Sequence, residues 1–200
     1  MSDRFFFPLA LLIGVLMAVF SIRIGTGSLP SGTVSGAGTD YVTIQVAGNE
    51  LNRMEAGGEV GLGIVDRPEG PVLRIETAAD VLSDDPLRGP HFVLDSDMEN
   101  VFQGSTIRIT MRVKPSERYG AMKFMANYST GKVGESGWQE FDLMPDYKDY
   151  SFEYDVPLRP DPNENGYDYL AIRPVTPEKT RAIEIASVTF TRLDRWAPQP

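Results

Sequence analysis

From Phe5 to Ile24 nearly every position is apolar (FFFPLALLIGVLMAVFSIRI), whereas beyond Asp40 apolar and polar residues alternate in short stretches. The first pattern predicts one helix. Twenty residues at about 1.5 Å each reach roughly 30 Å, the thickness of a bilayer's hydrocarbon core, so the expectation is a single transmembrane helix. Pro8 falls in its first turn and Gly14 is tolerated in such a helix. The run exceeds the roughly 7 to 15 apolar residues of a signal peptide, which favours an uncleaved anchor over a cleaved leader. Gly14 and Ala18 form a small-xxx-small pair that could contact a partner helix or face lipid.

The second pattern has a period of two. Val42, Ile44 and Val46 alternate with polar neighbours, as do Ile107, Ile109, Met111 and Val113. Met122, Phe124, Ala126 and Tyr128 share one strand face, and Tyr150, Phe152, Tyr154 and Val156 share another. Such segments are half-buried strands. Ile183 and Ile185 have one parity, Val188 and Phe190 the other, so an extra residue at Ala186 or Ser187 predicts a β-bulge. Ala78 to Leu82 is the one candidate helical turn, stopped by Pro86. The organisation expected is a transmembrane anchor over 1–24, a flexible Gly/Ser-rich tether over 25–39, a β-sandwich over 40–193 and a C-terminal tail over 194–200.

Composition narrows the chemistry. The chain has 19 basic and 28 acidic residues. Setting aside Arg4, Arg23 and Asp3 leaves 17 and 27, a net charge of −10 that opposes nucleic acid. Cysteine is absent, which removes disulfides, thiolate metal sites and thiol nucleophiles. A disulfide-free domain behind an anchor fits a bacterial envelope. With a short amino-terminal tail expected inside, the location reads as a single-pass inner-membrane protein with its C-terminal domain in the periplasm.

Three segments, QGSTIRITMRVKPS, GWQEFDLMPDYKDYSFEYDVP and AIEIASVTFTRL, lie within residues 103 to 193. They resemble the galactose-binding-like β-sandwiches that include many carbohydrate-binding modules. The resemblance implies an all-β antiparallel jelly roll and a glycan as the class of ligand. The sequence departs from it at Ala186 and Ser187, where those modules often carry acidic or amide side chains.

Candidate sites follow from residue chemistry. Asp161, Asn163, Asn165 and Asp168 match the first half of a calcium loop, D-x-N-x-N-G, but Ile172 stands where a bidentate Glu belongs, and Asn165-Gly166 is equally a turn. A structural calcium ion is therefore the one cofactor considered. Asp95, Asp97 and Glu99 offer a second acidic group. Trp138, Tyr147, Tyr167 and Tyr169 lie in or beside loops and could form a sugar platform. Trp196, in the tail, would either fold back on the sandwich or dock into another protein. His91, the single histidine, stands at the start of a strand, and no nucleophile and base pair is recognisable, so no enzyme is expected. Gly58, Gly61 and Gly63 precede a strand rather than a helix, so they read as permitting close backbone packing or a bulge and not as a phosphate loop.

The first functional expectation is a non-catalytic accessory or scaffold subunit of a membrane protein complex, held in the lipid bilayer through residues 5–24. The alternative is a membrane-anchored glycan-binding module of the bacterial envelope.

Overall fold

Alternation translates directly into layers. In a computed structural model of the protein, which describes residues 12–14, 17, 28–81, 85–159 and 167–193, ten strands form two sheets packed face to face. The larger sheet runs β2 (Gly61–Arg67), β3 (Gly70–Thr77), β10 (Arg181–Arg192), β5 (Thr106–Pro115) and β8 (Lys148–Asp155), with β1 (Thr43–Ala47) also on β10. The smaller runs β4 (His91–Val93), β9 (Tyr169–Pro174), β6 (Lys123–Ser129) and β7 (Gln139–Asp142). All pairings between these strands are antiparallel.

The core fills the space between the sheets. Ile107, Ile109, Met111 and Val113 of β5 are fully buried, as are Phe124, Ala126 and Tyr128 of β6 and Leu170 and Ile172 of β9. Each large apolar side chain withdrawn from water contributes about 1.5 to 3 kcal/mol. The anticipated bulge is present: Ile185 pairs with Val113 and Ser187 with Arg112, leaving Ala186 as the extra residue. It resets the parity of β10, so that Ile183, Ile185, Val188 and Phe190 all reach the core. Met122 departs from the expected face: it precedes β6 and is exposed.

Helices differ from the expectation. Ala78 to Val81 holds no helical turn, whereas Ser96–Phe102 forms helix α1. Asp95 caps it by accepting from Ser96 N at 2.6 Å, Asp97 and Glu99 occupy the first turn where negative charge meets the helix dipole, and Met98 and Phe102 turn one face into the core.

Helix α1 also receives the chain that precedes β1. Val34 is buried and forms a parallel bridge with Leu94, donating to Val93 O at 2.8 Å and accepting from Asp95 N at 2.7 Å. Asp97 accepts from Ser35 Oγ (2.7 Å), Gly36 N (3.0 Å) and the Tyr41 hydroxyl (3.0 Å). Arg53 donates to the carbonyls of Ser31 and Thr33, and Asn52 to that of Pro30. Residues 30–36, within the stretch expected as a tether, are thus fastened to the sandwich. The acidic group Asp95, Asp97 and Glu99 is spent on this clasp and on the network below.

At the same end of the sandwich a polar network is closed off from water. Arg159 pairs with Glu99 Oε2 at 3.1 Å and with Asp168, which also accepts from the Tyr128 hydroxyl at 2.8 Å. Glu99 Oε1 accepts from Asp168 N at 2.7 Å. Burial, foremost, raises both carboxyls above their ordinary values, against the pull of their hydrogen-bond donors and of Arg159.

The location read from the sequence is corrected here. Among the described residues no helix is long and apolar enough to cross a membrane, which overturns the single-pass inner-membrane and periplasmic assignment. Of residues 5–24 only Leu12, Ile13, Gly14 and Met17 are described; they are helical and exposed. Ala18 and the rest of that segment lie outside the described residues.

Two outcomes follow. Asp97→Ala is expected to lower stability by about 1 to 2 kcal/mol and to open residues 34–41 to limited proteolysis before the sheets unfold, as read by urea unfolding and digestion mapping. Arg159→Met leaves two buried carboxylates uncompensated, at about 3 to 5 kcal/mol at neutral pH. Because both folded-state values are raised, the groups' contribution to stability is complete below the ordinary carboxylate range and is lost as pH rises through the raised values. The deficit of Arg159→Met should therefore narrow as pH is lowered from 7 towards 4, in parallel urea titrations.

Candidate functional site

Strand parity sorts the polar and aromatic residues onto two outer faces. On β9, Leu170 and Ile172 point into the core, so Tyr169, Ala171 and Arg173 face outward. On β6 the same alternation turns Met125, Asn127 and Ser129 outward beside them, with His91 across from Ala171 on β4. The segment between β6 and β7 folds back along this face: Asn127 Nδ2 donates to Glu135 at 3.0 Å, Ser136 Oγ to Asn127 Oδ1 at 3.3 Å, and Ser136 N to Tyr128 O at 2.8 Å. That turn delivers Trp138, whose ring lies under the Arg173 guanidinium at 3.9 Å from the ring centroid. Arg173 Nε in turn contacts Met125 Sδ at 3.4 Å.

The result is a closed floor with a half-open aromatic rim. Asn127, Ser129 and Ala171 are almost completely covered, Trp138 is half-buried, and Tyr167, two residues ahead of Tyr169, is 66% exposed. Tyr169 meets the His91 ring edge-on at 6.0 Å. Lys123 sits between Glu140 (2.7 Å) and Asp142 (3.5 Å), and the Glu140 hydrogen bond raises its ammonium above the ordinary value. A stacked indole among hydrogen-bonding side chains suits a polyhydroxylated ring, which needs an apolar face and several polar partners together.

Tyr147 does not join this group. It lies against the outer side of the larger sheet, with Lys114 Nζ 4.7 Å from its ring centroid and its hydroxyl 3.4 Å from Glu184 Oε2. Burial first, then the Glu184 charge, holds its phenol far above the ordinary value. Glu184 is fully buried although it faces away from the core, because Arg67 (2.5 Å), Ser116 (3.0 Å) and Lys114 (3.8 Å) close over it. Burial alone would raise its carboxyl; the Arg67 and Ser116 hydrogen bonds outweigh burial and hold it low.

The remaining sequence candidates separate. Asp168 has both carboxylate oxygens engaged, by Arg159 and Tyr128, while Asp161, Asn163 and Asn165 lie outside the described residues. Gly14 has nothing within 4 Å of its Cβ position, and Trp196 lies outside the described residues. His91 has Nδ1 2.8 Å from Gly89 O and Nε2 3.8 Å from Glu55, so neither ring nitrogen faces a hydroxyl. Arg173 was not singled out by sequence reasoning; its signal is the shared parity with Tyr169 along Tyr169–Pro174.

No protein-family model and no curated protein matches the chain. Among solved structures it is similar to the N-terminal CBM22-1–CBM22-2 tandem domain of Xyn10C from Paenibacillus barcinonensis, with 11% identity, 74% of this chain covered and a TM-score of 0.52. The match takes in 42% of that tandem chain. Two further similar structures are the CBM22-1 xylan-binding domain of the same Xyn10C (11% identity, 76% and 95% of the two chains, TM-score 0.49) and the xylan-binding module CBM15 (18%, 78% and 99%, 0.44). At such identity the likeness to the tandem domain establishes the fold alone, a two-sheet antiparallel β-sandwich.

Proposed function

We propose that the protein is a non-catalytic glycan-binding module that receives its ligand on the outer face of the smaller sheet. The observation that carries this reading is the Trp138 ring held at 3.9 Å by Arg173 on a face whose other members are Tyr169, Glu140 and Lys123. An indole supplies the apolar surface for a pyranose, and the exposed Glu140 carboxylate and Lys123 ammonium supply an acceptor and a donor for its hydroxyls. The fold supports the reading, since the tandem domain it resembles is a pair of CBM22 modules. The scaffold role in a membrane complex is not carried forward, because the fold offers it no support.

Affinity electrophoresis and calorimetry against soluble xylan, mixed-linkage β-glucan and cellulose oligosaccharides test this directly. Trp138→Ala should weaken binding by about tenfold or more while leaving the melting temperature close to wild type. Tyr147→Phe, on the opposite sheet, should leave affinity unchanged. Absence of binding to the whole panel, or equal losses in both variants, would count against the proposal.

A further inference from the structure

A strand at the border of a sheet exposes unpaired N–H and C=O groups, and β proteins guard such borders by charge, brevity or cover. β8 carries Lys148, Asp149, Glu153 and Asp155. β7 has four residues, among them Glu140 and Asp142. β4 has three, and bridges from Val34 and Glu55 flank it. β1 runs beside the docked 34–39 segment, with a cavity of about 400 Å³ between them.

β2 is the exception. Its seven residues pair with β3 throughout, and among the described residues no other strand pairs with it. Gly61 to Val65 carries no charge, and Val60, Leu62 and Ile64 pack against the core yet stay half-exposed. Its glycines fill no need of the single chain. A Cβ at Gly63 would meet nothing within 4 Å, and one at Gly61 only ordinary contact with Glu76 at 3.6 Å. Glycine inside a strand is a mark of close approach by another backbone.

We propose that β2 is a dimerisation edge, paired antiparallel with β2 of a second copy of this chain about a two-fold axis at Gly63. That register sets Gly63 against Gly63, Leu62 against Ile64, and Gly61 against Val65. It also brings Glu59, just ahead of the strand, opposite Arg67 at its end, twice over. Charge favours this register: pairing centred one residue along, on Ile64, would set Glu59 against Glu69, and pairing centred on Leu62 would forgo the Glu59–Arg67 pairs. Parity is kept, so the half-exposed Leu62 and Ile64 cover one another on the core side. An axis normal to the sheet leaves both smaller sheets on the same side of the dimer. Two candidate glycan faces then point the same way, and a polymeric ligand is held at two places.

The full chain has no cysteine, so Gly63→Cys introduces a single thiol on the axis. Residues facing each other across an antiparallel pair have Cα atoms about 4.5 to 5.5 Å apart, within reach of a disulfide. The expected results are a wild-type dimer by light scattering coupled to gel filtration, and a disulfide-linked dimer of oxidised Gly63→Cys. Gly63→Lys, whose side chain enters open space in the single chain, should match the wild-type melting temperature at concentrations too low for the dimer and raise the dimer dissociation constant at least about tenfold. A wild-type monomer at all concentrations, a dimer indifferent to Gly63→Lys, or cross-linking no faster than that of Thr110→Cys on β5 would overturn the proposal. Glycan binding is read separately, so a monomer that still binds xylan refutes the dimer and leaves the proposed function standing.

Discussion

The structure depends on one strand serving two halves of a sheet with a side-chain period of two. β10 pairs with β5 along nearly its whole length on one side, and with β3 and then β1 on the other. A regular twelve-residue strand has one fixed set of inward positions. The inserted Ala186 gives it two, so Ile183 and Ile185 fill one part of the core and Val188 and Phe190 the other. Without that insertion Val188 and Phe190 would point to solvent and Thr189 would enter the core, and β1 would lose the packing that holds it to the sheet.

The same parity places Glu184 at the centre of the outer surface, between Ile183 and Ile185. An acid there would be unpaired in a low-dielectric setting if Arg67, Ser116 and Lys114 did not close over it. The two sheets therefore present opposite chemistries outward. The larger one is bound up in its own ion pairs, such as Arg108 with Glu153 and Arg112 with Asp149. The smaller one carries the indole above a covered polar floor, and the proposed glycan site lies there.

Much of this was legible in the residues. β5 follows from strict alternation, and the bulge from a change of parity between Ile185 and Val188, because period-two arguments need only local sequence. Helix α1 was missed: its signals are Asp95 as a cap and Met98 with Phe102 four residues on, but its seven residues sit among strands and carry little periodicity. What could not be read is which face a loop residue reaches. Trp138 and Tyr147 lie nine positions apart, on either side of β7, yet end on opposite sheets, because the chain crosses from one sheet to the other between β7 and β8. The clasp on Asp97 was equally hidden: a Gly/Ser/Thr-rich stretch has the composition of a free linker, and only a distant carboxylate turns its hydroxyls and amides into a docking strip.

That strip also defines how the domain would bear mechanical load. Tension entering from the amino-terminal side meets Asn52, Arg53, Val93, Asp95 and Asp97 before it reaches β1. Val34 lies parallel to Leu94, so the two bonds at that bridge are pulled together, as are the pairs on Arg53 and Asp97. The sheets lie behind this fastening, and Val34, itself a core residue, ties the strip to them.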